Sequence, residues 1–369
     1  MPRLLHTADW QLGKQYKGLG GDPDCRSDLR NERLNAVRRL GGLAMQHAVD
    51  AVLVAGDVFD MNEVSDRLVR QTLNTLGQFS VPWVLLPGNH DPAVAESVWT
   101  RIERLGCPSN VYAAVTRAPI LLARDCLAVL PAPLLRRHES ADPTEGFAST
   151  LTPAGVIRVG LAHGSVKNRL PVEAESHNLI SDTAAATAHL DYLALGDWHG
   201  TFQVTPNTWY SGTPEPDGFQ QQNSGQALLV EIDEVGAPPR IQTLQTGVYR
   251  WRRLKVDFRA VESELVALGE PAGNLVIGMR VEGAISLRER AALDEVIQQW
   301  EARVKLLRVN LATLASAPTE ADFDELGRQG FVGNVVERLR AIQLDIKHPD
   351  HAIAGAALQR LYAEHVLGR

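Results

Sequence analysis

The chain has 369 residues, which exceeds the roughly 100–200 residues of one ordinary domain, so two domains or one domain with an appendage are expected. Hydrophobic residues make up 44% and charged residues 22%, a globular balance that excludes wholesale disorder. The net charge of −7 argues against a protein that coats nucleic acid by global positive charge. It leaves room for a local basic track, or for cations bound among carboxylates.

Through the first two thirds, short apolar runs end in polar clusters. Leu4 and Leu5 lead into HTAD, AVLVA (51–55) into Gly56 and Asp57, and VPWVLL (81–86) into PGNHD. Further on, VIRVGL (156–161) leads into AHG, and YLAL (192–195) into GDWH. Runs of this length bounded by Gly and Pro predict buried strands. Between them, Leu29, Leu34, Val37, Leu40, Leu43 and Ala44 share one helical face, and the stretch 64–76 repeats the pattern with Leu68, Leu73 and Leu76. Alternating strand and helix predicts an α/β layered domain. The polar clusters all follow strands, where a rigid sheet can aim distant residues at one point.

From about Thr201 the pattern turns β-rich. A second unit is expected from about Tyr249, with strands at 254–258 and 275–281 around a helix at 260–269, then a long helix over 287–304. The tail from Glu320 should be mostly helical, with a break near His348. The expected division is 1–247, 248–316 and 317–369. In the long helix and tail, Val296, Trp300, Val304, Leu358, Leu361 and Tyr362 read first as core packing, with a partner-docking face as the sharper alternative.

Cys25, Cys107 and Cys126 lack C-x-x-C spacing and fit a reduced chain better than a disulfide scaffold. The opening MPRLLHTADWQLG has no apolar signal core, and the apolar runs fall far below the roughly 18 residues that span a bilayer. A cytoplasmic protein without membrane contact is expected.

The clusters carry Asp9 and Gln11, Asp57 and Asp60, Asn89 with His90 and Asp91, His163, then Asp197 and His199. With Asp60, His90 and Asp91 set aside for catalytic or supporting roles, carboxylates, imidazoles and amide oxygens remain. Such a donor set suits Mn²⁺, Mg²⁺, Fe²⁺ or Zn²⁺, and it is larger than one ion needs. Two ions about 3.5–4 Å apart, bridged by one carboxylate, would use it fully. They would clamp a phosphate and lower the pKa of water from about 15.7 toward 7, making hydroxide available for attack on phosphorus. His90, beside Asn89, is the expected acid for the leaving oxygen, with Asp91 or Asp60 fixing its tautomer.

The motifs DWQ (9–11), GDVFD (56–60), GNHD (88–91), HG (163–164) and GDWH (196–199) stand in the order of the calcineurin-like metallophosphoesterase signature. With HTADWQLGK and WYSGTPEP (209–216), the chain resembles the SbcD-type DNA repair exonucleases, nuclease subunits of SbcCD complexes. The resemblance implies a four-layer αββα sandwich over about 1–245, a small α+β cap that positions DNA, and a helical tail. It implies one metal on Asp9, residue 11, Asp57 and His199, and another on Asp57, Asn89, His163 and residue 197. It also implies His90 as proton donor, and an SMC-like ATPase subunit of the SbcC type as partner on the C-terminal segments. Gln11 and Asp197 both stand where the family has His. Asp197 favours a harder ion such as Mn²⁺, whereas Gln11 offers a neutral oxygen or no bond, which weakens one metal site.

Lys14, Lys17, Lys167 and Arg169 follow metal motifs and are the expected phosphate track; Arg136, Arg137, Arg250, Arg252, Arg253 and Lys255 carry less weight. Trp10 and Trp198 fit wall packing better than base stacking, and His6 fits the core. Tyr210 is a candidate to face substrate. The expected function is therefore a two-metal phosphodiesterase acting as a DNA nuclease, exonuclease and possibly endonuclease, compatible with a homodimer. The alternatives are a phosphodiesterase or phosphatase for small nucleotides, and a non-catalytic scaffold with one weakened metal site.

Overall fold

In a computed structural model, the structure describes residues 2–20, 23–167, 169, 177–219, 223–326 and 330–365. Parts of the expected helical tail, 327–329 and 366–369, lie outside the described residues. Two compact units, Met1–Tyr249 and Arg250–Arg369, divide the chain.

The first unit begins with β1 (Arg3–Thr7), beside which the apolar AVLV run forms β2 (Ala51–Val54), then β3 (Trp83–Leu85) and β4 (Val111–Ala113), all parallel. Parallel neighbours need long crossovers, supplied here by α1 (Pro23–Gln46), α2 (Asp66–Leu76) and α3 (Val98–Leu105). Ser65 starts α2 by accepting the Leu68 amide on its hydroxyl, satisfying one donor that the helix itself leaves unpaired.

A second sheet follows: β5 (Ile120–Leu122), β6 (Leu127–Ala132), β7 (Ile157–His163), the short α4 (Ala184–Thr187), β8 (Tyr192–Gly196), β9 (Phe202–Thr205) and β10 (Thr208–Tyr210). The chain then returns through β11 (Gln226–Glu231) and β12 (Arg240–Gln245) to the free side of β1. The orders are β12-β11-β1-β2-β3-β4 and β5-β6-β7-β8-β10-β9, both mixed sheets.

Strand alternation decides what lies between the layers. Leu4, Leu53, Val84 and Val230 of the first sheet meet Val129, Val159, Leu161 and Ala194 of the second in one buried cluster. The opposite faces, with Leu5, Val52, Val54 and Leu85, pack under Val37 and Leu40 of α1 and Val69 of α2. The outer face of the second sheet is covered by Phe147 and by Ala184, Ala185 and Ala188 around α4, a much thinner layer. Each fully buried Leu or Val stabilises this sandwich by ~1.5–3 kcal/mol. His6 ties the sheets by a polar link: its Nδ1 accepts from the Tyr192 hydroxyl at 2.9 Å and its Nε2 donates to the Leu195 carbonyl at 3.1 Å. Burial holds its pKa down at about 3, so the ring is neutral.

The second unit holds β13 (Arg250–Asp257), β14 (Leu275–Ile285) and β15 (Leu306–Ser316), parallel throughout, with crossovers α5 (Val261–Ala267) and α6 (Leu287–Glu301). The third strand goes beyond the two expected from the sequence. β15 lies at the sheet edge, and Arg308, Asn310 and Thr313 interrupt its apolar residues, so it carries no continuous apolar run. Val256, Ile277, Met279, Leu293, Trp300 and Val304 form the core of this unit. A capping box, Ser286 with Glu289, starts α6. In the tail, α7 (Glu320–Leu326), α8 (Gly330–Leu344) and α9 (His351–His365) gather Phe323, Leu326, Val336, Leu358 and Tyr362 around Leu287. Leu358 and Tyr362 are therefore core residues, as are Trp300 and Val304. No helix among the described residues is long and apolar enough to cross a membrane.

Candidate metal centre

The carboxyl ends of β1, β2 and β3 from one sheet and of β7 and β8 from the other meet at one edge of the sandwich, and the polar clusters follow them. Asp9, Asp57 and His163 are buried and bring one ligand atom each within 4.8 Å of one another. Around them, His163 Nε2 lies 3.1 Å from Asn89 Oδ1, 3.5 Å from Asp57 Oδ1 and 3.7 Å from Asp197 Oδ1. The Asp197 amide reaches Asp9 Oδ1 at 3.2 Å. His199 Nε2 is 3.4 Å from Gln11 Nε2, and that nitrogen is 3.5 Å from Asp57 Oδ2. All seven expected donor residues therefore share one focus.

Backbone geometry makes the crowding possible. Asp9, Gln11 and Asp57 all have positive φ, at 53°, 40° and 54°, a conformation held only where the surroundings over-determine it. The Asp9 amide donates to the Gly56 carbonyl at 3.1 Å and the Gln11 amide to the Asp57 carbonyl at 2.8 Å, zipping the two loops together. Gly56 and Gly88 have no alternative: a Cβ at Gly56 would lie 2.1 Å from His163 Nδ1, and one at Gly88 would lie 2.2 Å from Asp57 Oδ1.

The imidazoles are oriented from behind. His163 Nδ1 donates to the Ala55 carbonyl at 2.8 Å, which turns Nε2 toward the focus. His199 Nδ1 pairs at 3.4 Å with Asp217 Oδ1, a carboxylate one residue beyond the WYSGTPEP motif and absent from the expected site residues. Asp217 also accepts Lys14 at 2.6 Å and Arg33 at 3.2 Å. Its burial would raise its pKa, but Arg33, His199 and Lys14 hold it well below the usual carboxylate range.

Arg33 is a second residue that the motifs do not reach. It is buried and donates to the carbonyls of Trp10 at 2.6 Å, Asp9 at 2.9 Å and Glu215 at 3.2 Å, clamping the first loop to the 213–217 loop. Its signal is present in the sequence: it falls on the apolar face of α1, four residues from both Leu29 and Val37. Ser165 likewise donates to Asp197 Oδ2 at 2.7 Å.

Several expectations need correcting. Lys14 does not stand free for substrate; it is held by Asp217 and by Gln11 Oε1 at 2.7 Å. The Gln11 carbonyl therefore points away from the focus, and its NH₂ faces Asp57. Tyr210 cannot face substrate, because it is buried, donates to the Gly164 carbonyl at 2.8 Å and accepts the Val166 amide at 2.9 Å. The Asp91 carboxylate does not reach His90; it accepts the amides of Gly88 at 2.8 Å and Phe59 at 3.0 Å. Asp60 acts on His90 through its main-chain carbonyl, at 2.9 Å from Nδ1. Arg169 is exposed and paired with Asp182 at 3.0 Å, while Lys17 and Lys167 are exposed near the site loops. Of the more distant cations, Arg250 is tied to the carbonyls of Leu268, Gly269 and Pro271, and Lys255 pairs with Glu282 at 3.1 Å. Trp10 is wall: it lies 1% exposed and packs edge-on to Trp83.

The donor set fits divalent cations. Burial, relieved in part by His199 and His163, raises Asp9 to about 6, and burial likewise raises Asp197. Burial would lower His163, but Asp57, Asp9 and Asp197 raise it to about 9. Burial thus keeps Asp9 and Asp197 readily protonated, while the three carboxylates around His163 favour its charged form. Oxygen and imidazole donors in this proportion match hard or borderline ions.

Residues 2–230 match the calcineurin-like phosphoesterase family, and the chain belongs to it, a family of metal-dependent phosphoesterases. Among curated proteins, the chain is similar to the SbcD subunit of the nuclease SbcCD from Rhodobacter capsulatus, 28% identical over 362 residues, spanning 85% of this chain and 86% of that one. The Bacillus subtilis protein of the same name is 34% identical over 265 residues, covering 62% of this chain and 65% of its own. DNA double-strand break repair protein Mre11 of Sulfurisphaera tokodaii is 23% identical over 291 residues, covering 73% and 69% respectively.

Proposed function

We propose that this chain is a phosphodiesterase that cuts DNA with two divalent ions, Mn²⁺ foremost, held among the strand-end donors. The observation that carries the reading is the meeting of Asp9, Asp57 and His163, from three strand ends in two sheets, within 4.8 Å. One ion would be held by Asp9, Asp57 and His199 with Gln11 at its edge, the other by Asp57, Asn89, His163 and Asp197. Ions in such a cage neutralise phosphate oxygens and lower the pKa of water toward 7, from about 15.7.

The chain's own residues would do the rest. His90 donates through Nδ1 to the Asp60 carbonyl, so Nε2 is the nitrogen left to carry a proton toward a leaving oxygen. That nitrogen lies 3.9 Å from Asp57 Oδ2, at the margin of the focus. Beside it opens a groove of about 460 Å³ lined by Asp60, Asn62, Asn89, His90 and Arg137. The leaving nucleotide would lie there, with the exposed Arg137 guanidinium available to the next phosphate.

The relatives' names, a nuclease subunit and a DNA double-strand break repair protein, support DNA as the substrate class. By the same resemblance, residues 248–316 would position the DNA end, and the C-terminal helices would dock an SMC-like ATPase of the SbcC type. The exposed Phe331, Leu344, Ile346 and Ile353 on and between α8 and α9 support a docking face.

Digestion of end-labelled duplex DNA with Mn²⁺, set beside cyclic nucleotides and bis-p-nitrophenyl phosphate, tests the reading. Metal-dependent release of nucleotides from the duplex is expected. Hydrolysis of cyclic nucleotides with the duplex left intact would replace it with the small-nucleotide reading. Absence of both turnover and bound metal would leave a scaffold.

A further inference from the structure

We propose that the two halves of the metal centre are unequal, because Lys14 turns Gln11 from a metal ligand into a hydrogen-bond donor. The inference rests on the two-ion reading above. The Lys14 ammonium has donors only, so at 2.7 Å it fixes Oε1 of Gln11 toward itself. The NH₂ of Gln11 then points inward, 3.5 Å from Asp57 Oδ2 and 3.4 Å from His199 Nε2.

This orientation is held from both sides. Lys14 is anchored by Asp217 at 2.6 Å, and Asp217 by the buried Arg33 at 3.2 Å. Gln11 is 2% exposed and its own amide is bound to the Asp57 carbonyl. Turning the side-chain amide over would set NH₂ against the ammonium, donor against donor. A cation on the Asp9, Asp57 and His199 side therefore meets three protein donors, an inward N–H and a nearby like charge. The Asp57, Asn89, His163 and Asp197 side presents four donors, with His163 and Asp197 already oriented by Ala55 and Ser165. Divalent ions fill the second half first.

The test is calorimetric titration of the metal-free full chain with MnCl₂, followed by electron paramagnetic resonance for the coupled Mn–Mn signal, neither of which depends on turnover. Wild type is expected to bind in two steps with Kd values at least tenfold apart, the coupled signal growing only after the first equivalent. Gln11→His and Lys14→Met should each narrow the gap at least threefold by different routes. Gln11→His supplies an imidazole, and Lys14→Met frees the amide to turn while Asp217 keeps Arg33. Gln11→His tests whether residue 11 is the weak donor, while Lys14→Met, or Lys14→Gln should Lys14→Met fold poorly, tests whether Lys14 turns it. An unchanged gap in the folded Lys14 variant would overturn that part of the proposal. Two equal steps in wild type would overturn the asymmetry, and an unchanged gap in Gln11→His would overturn its assignment to residue 11; either result leaves the two-ion reading standing. Titration in which Asp57→Asn behaves as wild type would overturn both.

Discussion

The Nδ1 proton of His90 is given to the main-chain carbonyl of Asp60, 2.9 Å away, and this one bond fixes the tautomer of the ring. A carbonyl can only accept, so Nδ1 must carry hydrogen, and Nε2 is the atom turned toward Asp57. His90→Ala should retain metal and lose about 10²–10⁴-fold in turnover on DNA. The loss should be smaller on bis-p-nitrophenyl phosphate, whose leaving group needs little protonation. Equal losses on both substrates would remove His90 from the acid role.

Metal affinity should climb with pH. A metal must displace the protons of Asp9, whose pKa is about 6, and of His163, whose pKa is about 9. Apparent affinity for Mn²⁺ is therefore expected to rise by up to about tenfold per pH unit for each proton released, and to level off above pH 9. Both folded values are raised, Asp9 from 3.8 and His163 from 6.5. The stability each contributes to the metal-free fold is thus full below its ordinary value and lost as pH rises through the folded one. Melting temperature of the metal-free chain should fall between pH 4 and pH 9, while the gain on adding Mn²⁺ grows.

Arg33 is the buried cation that joins the first loop to the 213–217 loop. Arg33→Ala removes donors from the Asp9, Trp10 and Glu215 carbonyls and leaves Asp217 with Lys14 and His199. Breaking a buried pair in this way costs about 3–5 kcal/mol, which urea unfolding of the metal-free chain would measure. A cost below about 1 kcal/mol, the range of exposed pairs, would contradict its structural role.

Tyr210→Phe separates a structural hydroxyl from a substrate contact. The hydroxyl bridges the Gly164 carbonyl and the Val166 amide just after His163. Its loss should cost about 1–3 kcal/mol of stability, with KM for DNA unchanged.

Arg137→Ala addresses the groove beside His90. KM for duplex DNA should rise several-fold while turnover of bis-p-nitrophenyl phosphate, which has no neighbouring phosphate, stays the same. Parallel loss on both substrates would place Arg137 outside substrate binding.

Much of the catalytic unit is legible without coordinates. Apolar runs such as AVLVA fit strands buried on both faces, and the Gly-Asp and Gly-Asn turns after them mark where the chemistry lies. In the second unit, β15 is hard to see in the sequence because an edge strand admits polar residues such as Arg308, Asn310 and Thr313 and so carries no continuous apolar run. Lys14 differs from expectation for another reason: the carboxylate that holds it stands 203 residues further along the chain.

Residue types and their spacing thus determined by themselves the family, the strand-end loops and the set of donors, because local apolar pattern and turn chemistry are written in neighbouring residues. Only the tertiary structure decided which way each donor points. Asp217 and Arg33 turn Lys14 and Gln11, Ala55 turns His163, Asp60 turns His90, and Gly164 with Val166 removes Tyr210 from the surface. Side-chain direction follows from hydrogen-bond partners that long-range packing brings near, and that proximity exists only once both sheets have closed on each other.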